Sequence, residues 1–363
     1  MKKKMRKLSE ELMANANLTR AKNQKRDCFF TQICDIEDEL RHYKKHFENK
    51  VVILNCDDPE YSNFWKYFNL NFEHLKLKKL IATHYEEKKQ SYMLEMYKDE
   101  AGVHTQIKTL KQNGDFRSPE CLELLKQADI CVGNPPFSLY REFLQTLIEN
   151  NLKFLIMANN NSIAYKEVFP LLKENKMWLG YSANKTMEFE VPADYDLKPG
   201  KFRQDEQGRY FVKVPAISWF TNLDIKKRHE DLILYKHYTP EEYPKYDNYD
   251  AINVDKVADI PCDYYGVMGV PITFMDKYNP EQFEIIGLGT SRELYTPNKT
   301  YQNPKKYFSD GRVVSANEIN STLTYEITKE KIKNVYYKSD DSDKLLFQPY
   351  ARILIKRNYK EGK

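Results

Sequence analysis

The sequence predicts an α/β protein, a parallel sheet with helices on both faces, followed by a smaller, loop-rich second domain. Three observations predict it. Short apolar runs rich in β-branched residues alternate with amphipathic segments through the first part of the chain, the pattern of strand–helix–strand units. The runs end in acids, asparagines or aromatics, at the carboxyl strand ends where open α/β sheets bind ligands. After about residue 237 the texture changes to Tyr, Pro, Asn and Asp with short strands such as 284–288. The expected organisation is a basic arm over 1–26, an α/β domain over 27–237 and a second domain over 238–363.

The elements follow in order. Residues 35–47 read as an amphipathic helix, because Ile36, Leu40, Tyr43 and Phe47 recur at helical spacing. Acids fill its first turn and Lys44, Lys45 and His46 its last, which suits the helix dipole. Val51 to Leu54 is a buried parallel strand ending in Asn55-Cys56-Asp57-Asp58. A helix follows with Ser62 as its N-cap. Residues 77–83 form a second strand, ahead of His84, Tyr85 and Glu86. Residues 86–113 are a polar excursion, read as a hairpin. Asn113-Gly114-Asp115-Phe116 is a turn, and 118–127 a short helix with Pro119 in its first turn. Ile130 to Val132 is a strand, 138–149 a helix, 153–157 a strand, 163–175 a helix, and 177–179 the start of another strand. Residues 210–223 read as two strands bent at Pro215.

Composition supports a soluble protein with a sizeable core: 363 residues, 41% apolar and 30% charged. No apolar run approaches the ~20 residues that cross a bilayer, and the basic N-terminus lacks the apolar stretch of a secretory signal. Six cysteines without a C-x-x-C pair or a histidine at zinc spacing read as reduced, mostly buried thiols of a cytoplasmic protein. The formal charge of +4 is uneven. Residues 1–26 carry nine Lys/Arg against two Glu, +7, so the remainder sums to −3. Such an arm suits phosphate contact, or is simply solvated.

The most informative residues are Asn134-Pro135-Pro136-Phe137, closing a strand. This is chemistry for gripping a planar amine. An asparagine carbonyl accepts one N–H, a backbone carbonyl held by the prolines accepts a second, and an aromatic stacks on the ring that carries the amine. The alternative is an ordinary proline turn after a strand.

The tetrapeptide resembles the catalytic motif of adenine-N6 DNA methyltransferases, and further segments resemble the EcoRI-type adenine-specific members. In order they are residues 29–40, 51–59 with 62–64, 77–82, 114–116, 132–137, 219–223 and 269–274. The resemblance runs from about residue 27 to about 290. The place of the usual glycine-rich loop holds Asn-Cys-Asp-Asp-Pro, an oddity those proteins share. Cys28 stands where the family pattern leads one to expect an acid.

The resemblance implies a Rossmann-like, S-adenosylmethionine-dependent methyltransferase sheet with a C-terminal target-recognition domain. It implies methyl transfer to a flipped adenine in double-stranded DNA, as part of a restriction-modification system and without a metal. Asn134, Pro135, Pro136 and Phe137 would be catalytic. Phe30 and Thr31 would close over the cofactor, and Asp57 would face its methionine moiety. Glu86, with His84 or Tyr85, would hold the ribose, and Asp115 and Phe116 would contact its adenine. A monomer is expected. A cognate restriction endonuclease acting on the same site without a stable complex is left open. Two rival readings also stay open: a methyltransferase acting on adenine in RNA or on glutamine in protein, and an inactive DNA-binding module.

Overall fold

The computed structural model describes residues 30–56, 58–86, 90–192, 195, 200, 202–290, 296–332 and 334–358. The basic arm, Cys28 and Asp57 lie outside them. The chain divides into two compact units, one running to Asn160 and resuming over Trp178–Ile225, the other comprising Asn161–Met177 and Lys226–Lys363. The unit boundary thus falls at 225/226, and a short segment before β8 joins the second unit.

The first unit is built on one mixed sheet. Its strands are β1 (Phe30–Thr31), β2 (Val51–Leu54), β3 (Lys79–Thr83), β4 (Tyr92–Asp99), β5 (Gly102–Thr109), β6 (Ile130–Gly133), β7 (Lys153–Asn159), β8 (Trp178–Leu179), β9 (Lys185–Val191), β10 (Phe202–Gln204) and β11 (Tyr210–Thr221). The order across it is β1-β9-β11-β7-β6-β2-β3-β4-β5, with β8 and β10 also on β11. Only the middle four strands, β7-β6-β2-β3, are parallel. The all-parallel expectation is corrected at both flanks. The polar excursion is the β4-β5 hairpin, which extends this same sheet antiparallel to β3. On the other side β11 runs antiparallel to β7, and β9 to β11.

The bend at Pro215 is a bulge inside one continuous strand. Pro215 cannot donate to a ladder and Ala216 has φ +57°. The irregularity lies between Val214 and Ile217: β11 pairs with β9 over Tyr210–Val214 and again at Ile217, and with β7 from Ile217 onward.

Local signals hold where capping chemistry decides. Ser62 Oγ accepts from the amides of Phe64 (3.0 Å) and Trp65 (3.4 Å) at the start of the helix Asn63–Leu70. Ser118 caps Pro119–Leu125 through the Cys121 amide. The helix expected over 35–47 is broken into Ile33–Leu40 (α1), a 3-10 turn and Lys44–Phe47 (α2), yet its four apolar residues are all fully buried. The remaining helices are α3 (Asn63–Leu70), α4 (Pro119–Leu125), α5 (Tyr140–Glu149) and α6 (Phe169–Lys173). The helix expected over 163–175 shrinks to α6 and a 3-10 turn, because Pro170 cannot continue a helix from upstream.

One sheet face, with Val52, Leu54, Val132, Leu155, Met157 and Trp219, shares a core with α1, α2 and α3. Phe64 of α3 meets Trp219 edge-on at 5.9 Å. Alternation sends Phe220 the other way, where Tyr140 of α5 lies 6.0 Å from it. Full burial of each such side chain stabilises by about 1.5–3 kcal/mol.

The second unit holds two smaller sheets. One has the order β12 (Ile252–Asn253), β13 (Met268–Pro271), β20 (Arg352–Arg357), β14 (Phe283–Leu288). The other has the order β16 (Val313–Ser315), β15 (Lys305–Phe308), β18 (Val335–Ser339), β19 (Ser342–Phe347), β17 (Tyr325–Glu326). The cysteine expectation is partly corrected: Cys121 and Cys131 are buried, but Cys34 is exposed and Cys56 and Cys262 are half-exposed.

Candidate active site

The order of the parallel strands sets the site. The chain goes from β2 outward to β3, then returns to place β6 and β7 on the other side of β2. That reversal makes a crevice beyond the carboxyl ends of β2 and β6, the usual ligand position in such sheets. Leu54 pairs with Ala82, and Ile53 with Cys131. The residues following β2, β3 and β6 therefore emerge side by side.

Asn134 follows β6 directly and is only 8% exposed. Pro135 is buried, whereas Pro136 is half-buried. Phe137 is half-buried against the main core. The Pro136 carbonyl is taken by the Leu139 amide at 2.9 Å, leaving the Pro135 carbonyl as the nearer candidate for a second amine hydrogen. Gly133 pairs with Ile156, which puts Asn134 level with Met157. Thr31 Oγ1 donates to Met157 Sδ at 3.5 Å, so Thr31 reaches the same end of β7. The Thr31 carbonyl accepts from Asn63 Nδ2 at 2.7 Å, tying β1 to the start of α3. Phe30 lies beside Tyr61, ring centroids 6.5 Å apart. Phe30, Thr31 and the Asn134 loop thus gather at one sheet edge.

After β3, His84 stacks on Tyr92 at 4.7 Å, with its Nδ1 2.9 Å from Asp58 Oδ2. Tyr85 is exposed and Glu86 half-buried. The Glu86 amide donates to the Asn113 carbonyl at 2.9 Å, and Ser91 Oγ to the His84 carbonyl. These bonds draw the segment after β3 against Asn113-Gly114-Asp115-Phe116. Gly114 has φ +78°, and a Cβ there would lie 1.9 Å from the His84 carbonyl oxygen. Only glycine allows that approach.

Asp115 is gripped by Arg117, whose Nε and Nη2 donate to its two oxygens at 2.9 and 2.7 Å. Arg117 Nη1 also donates to Glu142 on α5 at 2.9 Å. Phe116 is 4% exposed and packs edge-on against Phe143 at 5.1 Å. It is a core residue under the turn, with little ring surface for a ligand. Asp57 lies outside the described residues.

Sequence reading missed three features that join distant segments. Asn55 is buried at the end of β2; its Oδ1 accepts from Thr83 at 2.8 Å, while its Nδ2 has no acceptor among the described residues. Arg117 links the Asp115 turn to Glu142 on α5. His237, Cys262 and Asp263 bring metal-ligating atoms within 4.8 Å of one another in the second unit, although 25 residues of chain separate the histidine from the cysteine. His237 there pairs with Asp263 at 2.9 Å.

Four parallel central strands with a topological reversal, and an Asn-Pro-Pro-Phe loop at their carboxyl edge, are the layout of an amino-methyltransferase. The family model described as adenine-specific methyltransferase EcoRI matches residues 17–358. The Type II methyltransferase M.EcoRI of Escherichia coli is 51% identical over 75% of this chain and 89% of its own length. M.MgeORF184P of Mycoplasma genitalium is 44% identical over 74% of this chain and 85% of its own. M.MpnI of Mycoplasma pneumoniae is 42% identical over 74% and 84%. No solved structure matches the chain significantly. The chain belongs to the EcoRI-type adenine-specific methyltransferase family. The match extends well past residue 290, where the recognisable motifs stop.

Proposed function

We propose that this protein is a site-specific Type II DNA methyltransferase that moves a methyl group from S-adenosylmethionine to N6 of an adenine flipped out of duplex DNA. The observation that carries the proposal is the Asn134–Phe137 loop at the end of β6, directly beside the end of β2. The region 27–237, which contains the large mixed sheet, is a Rossmann-like catalytic domain. The region 238–363 recognises the target, and the arm 1–26 adds phosphate contact. The protein is a cytoplasmic monomer and the modification half of a restriction-modification system.

The residues present suit this donor. The crevice offers acceptors at Glu86 and Asp115, an aromatic at Phe30, and a buried amide donor at Asn55 without a protein acceptor among the described residues. Glu86 would hold ribose hydroxyls, Asp115 the adenine amine of the cofactor, and Asp57 its methionine end. Phe30 and Thr31 form the cover. Phe116 serves mainly by supporting the Asp115 turn. When bound, S-adenosylmethionine supplies an electrophilic methyl on sulfur.

The chain's own contribution is positioning and electrostatics. The target amine has its lone pair delocalised into the ring. Asn134 Oδ1 and the Pro135 carbonyl accept its two hydrogens, which concentrates the lone pair toward the methyl group. The two prolines stiffen the carbonyl that does this. Phe137 stacks on the extruded base and offsets part of the few kcal/mol that flipping costs. The test is Asn134→Ala. Methyl transfer to duplex DNA is lost while cofactor affinity stays within a few-fold. A near-normal transfer rate would overturn the assignment, and parallel assays on RNA and protein would expose a different substrate.

A further inference from the structure

The β16-β15-β18-β19-β17 sheet has two unlike faces. Directly paired residues of neighbouring antiparallel strands share a face, so the register sorts the side chains. Lys306, Tyr337 and Leu346 fall on one face. Tyr337 and Leu346 close a core there with Tyr301, Ala316 and Ile319. The other face carries Lys305 opposite Lys338, and Tyr307 opposite Tyr336. Val313 and Ser315 continue it on β16.

This second face is built unlike a self-contained surface. Two lysines sit directly across from each other, about 5 Å apart at Cα, an arrangement that repels when nothing neutralises it. Neither lysine has an ion-pair partner among the described residues. Beside them the Tyr307 and Tyr336 rings stack in parallel, 5.0 Å apart at 6°. Lys338 Nζ lies 5.9 Å from each ring centroid, so its charge hovers over aromatic surface. Val313 at the edge is 49% exposed. At the hairpin end, Arg312 lies over Phe308 and is paired with Asp310.

We infer that this face grips the phosphate backbone of the DNA duplex. A phosphate bridging Lys305 and Lys338 removes their mutual repulsion, and the flanking tyrosines offer hydroxyls to neighbouring phosphate oxygens and flat surface to sugars. Backbone contacts of this type set register and orientation without choosing sequence. The inference rests on duplex DNA being the substrate and names where the second unit holds it. It separates that grip from base reading, which falls to other residues of the unit.

The test uses the full-length protein and two duplexes of equal length, one methylated by the wild type and one not. Affinity is measured across a range of salt for the wild type, Lys305→Gln/Lys338→Gln, and Lys126→Gln as a surface control. The double variant is expected to lose about 1.8 from the slope of log K against log salt, at roughly 0.9 per phosphate contact. It should weaken on both duplexes by similar factors and keep the wild-type methylated sequence. The single variant Lys338→Gln, which leaves Lys305 without a like-charged neighbour, should lose about half as much slope and guards against a folding defect in the double. An unchanged slope in folded double and single variants overturns the inference. So does loss of affinity for the methylated duplex alone, since that is base reading. Failure of the wild type to methylate any duplex would instead refute the DNA reading itself.

Discussion

Gly114→Ala should damage cofactor binding without touching any residue proposed to contact the cofactor. The added Cβ would start 1.9 Å from the His84 carbonyl oxygen and must retreat by about 1.5 Å to reach an ordinary 3.4 Å contact. The backbone at φ +78° adds about 1–2 kcal/mol for a residue with a Cβ. Retreat also disrupts the Glu86–Asn113 backbone bond and the Ser91–His84 bond, each contributing about 0.5–1.5 kcal/mol. The total is about 2–5 kcal/mol. Because these bonds hold Glu86 and Asp115 in one arrangement, the cost appears when a ligand requires that arrangement. At about 1.4 kcal/mol per tenfold, the Kd for S-adenosylmethionine should rise by at least about thirtyfold in calorimetric titration. Gly208→Ala is the control. Its φ of +80° is equally unfavourable, but its nearest neighbour is 3.8 Å away, so cofactor affinity should not change. Wild-type affinity in Gly114→Ala, with Gly208→Ala equally unaffected, would refute the idea that this contact assembles the site.

Asp115→Ala should raise the Kd for S-adenosylmethionine at least about tenfold, since a charge-assisted hydrogen bond contributes about 1.5–3 kcal/mol; unchanged titration curves would leave Asp115 as Arg117's partner alone. Phe137→Ala should lower turnover more than DNA affinity and reduce the brightening of 2-aminopurine at the target position, because base stacking of roughly 1–3 kcal/mol acts only after flipping. Burial pushes Glu95 up, but hydrogen bonds from Lys108, Lys79 and Gln106 outweigh it and hold the carboxyl at about 2. A depressed folded pKa contributes stability at neutral pH that is lost as pH falls from the unfolded value near 4.5 toward 2. Glu95→Gln should therefore lower the melting temperature at pH 7, and its deficit relative to wild type should shrink between pH 5 and pH 3; a deficit independent of pH would assign the effect to packing. Deleting residues 1–26 should weaken cognate and random duplexes equally and flatten the salt slope by roughly 0.9 per lost contact, and a changed methylated sequence would show that the arm reads bases.

The sequence by itself determined what depends on near neighbours. The buried face of residues 35–47 was legible because helical spacing is a local property, and the Ser62 and Ser118 caps because they bond amides two or three residues away. The close of β6 at the Asn134 loop was legible because an asparagine and two prolines in a row end a strand locally. Tertiary structure decided everything that joins distant segments. A parallel sheet was expected, but antiparallel flanks formed where β4 pairs with β3 and β11 with β7, pairings between segments that no local pattern specifies. Phe116, placed in the site by its motif, is also buried against Phe143, 27 positions on, a contact no local pattern shows. Arg117 pairs locally with Asp115, but its second partner, Glu142, lies 25 positions on in another element, which no local pattern shows. Lys305 and Lys338 are unremarkable lysines in the sequence, and only strand register, set by hydrogen bonding between β15 and β18, brings their charges together. A one-residue slip would move them to opposite faces, so the property that makes them a phosphate grip exists only in the folded sheet.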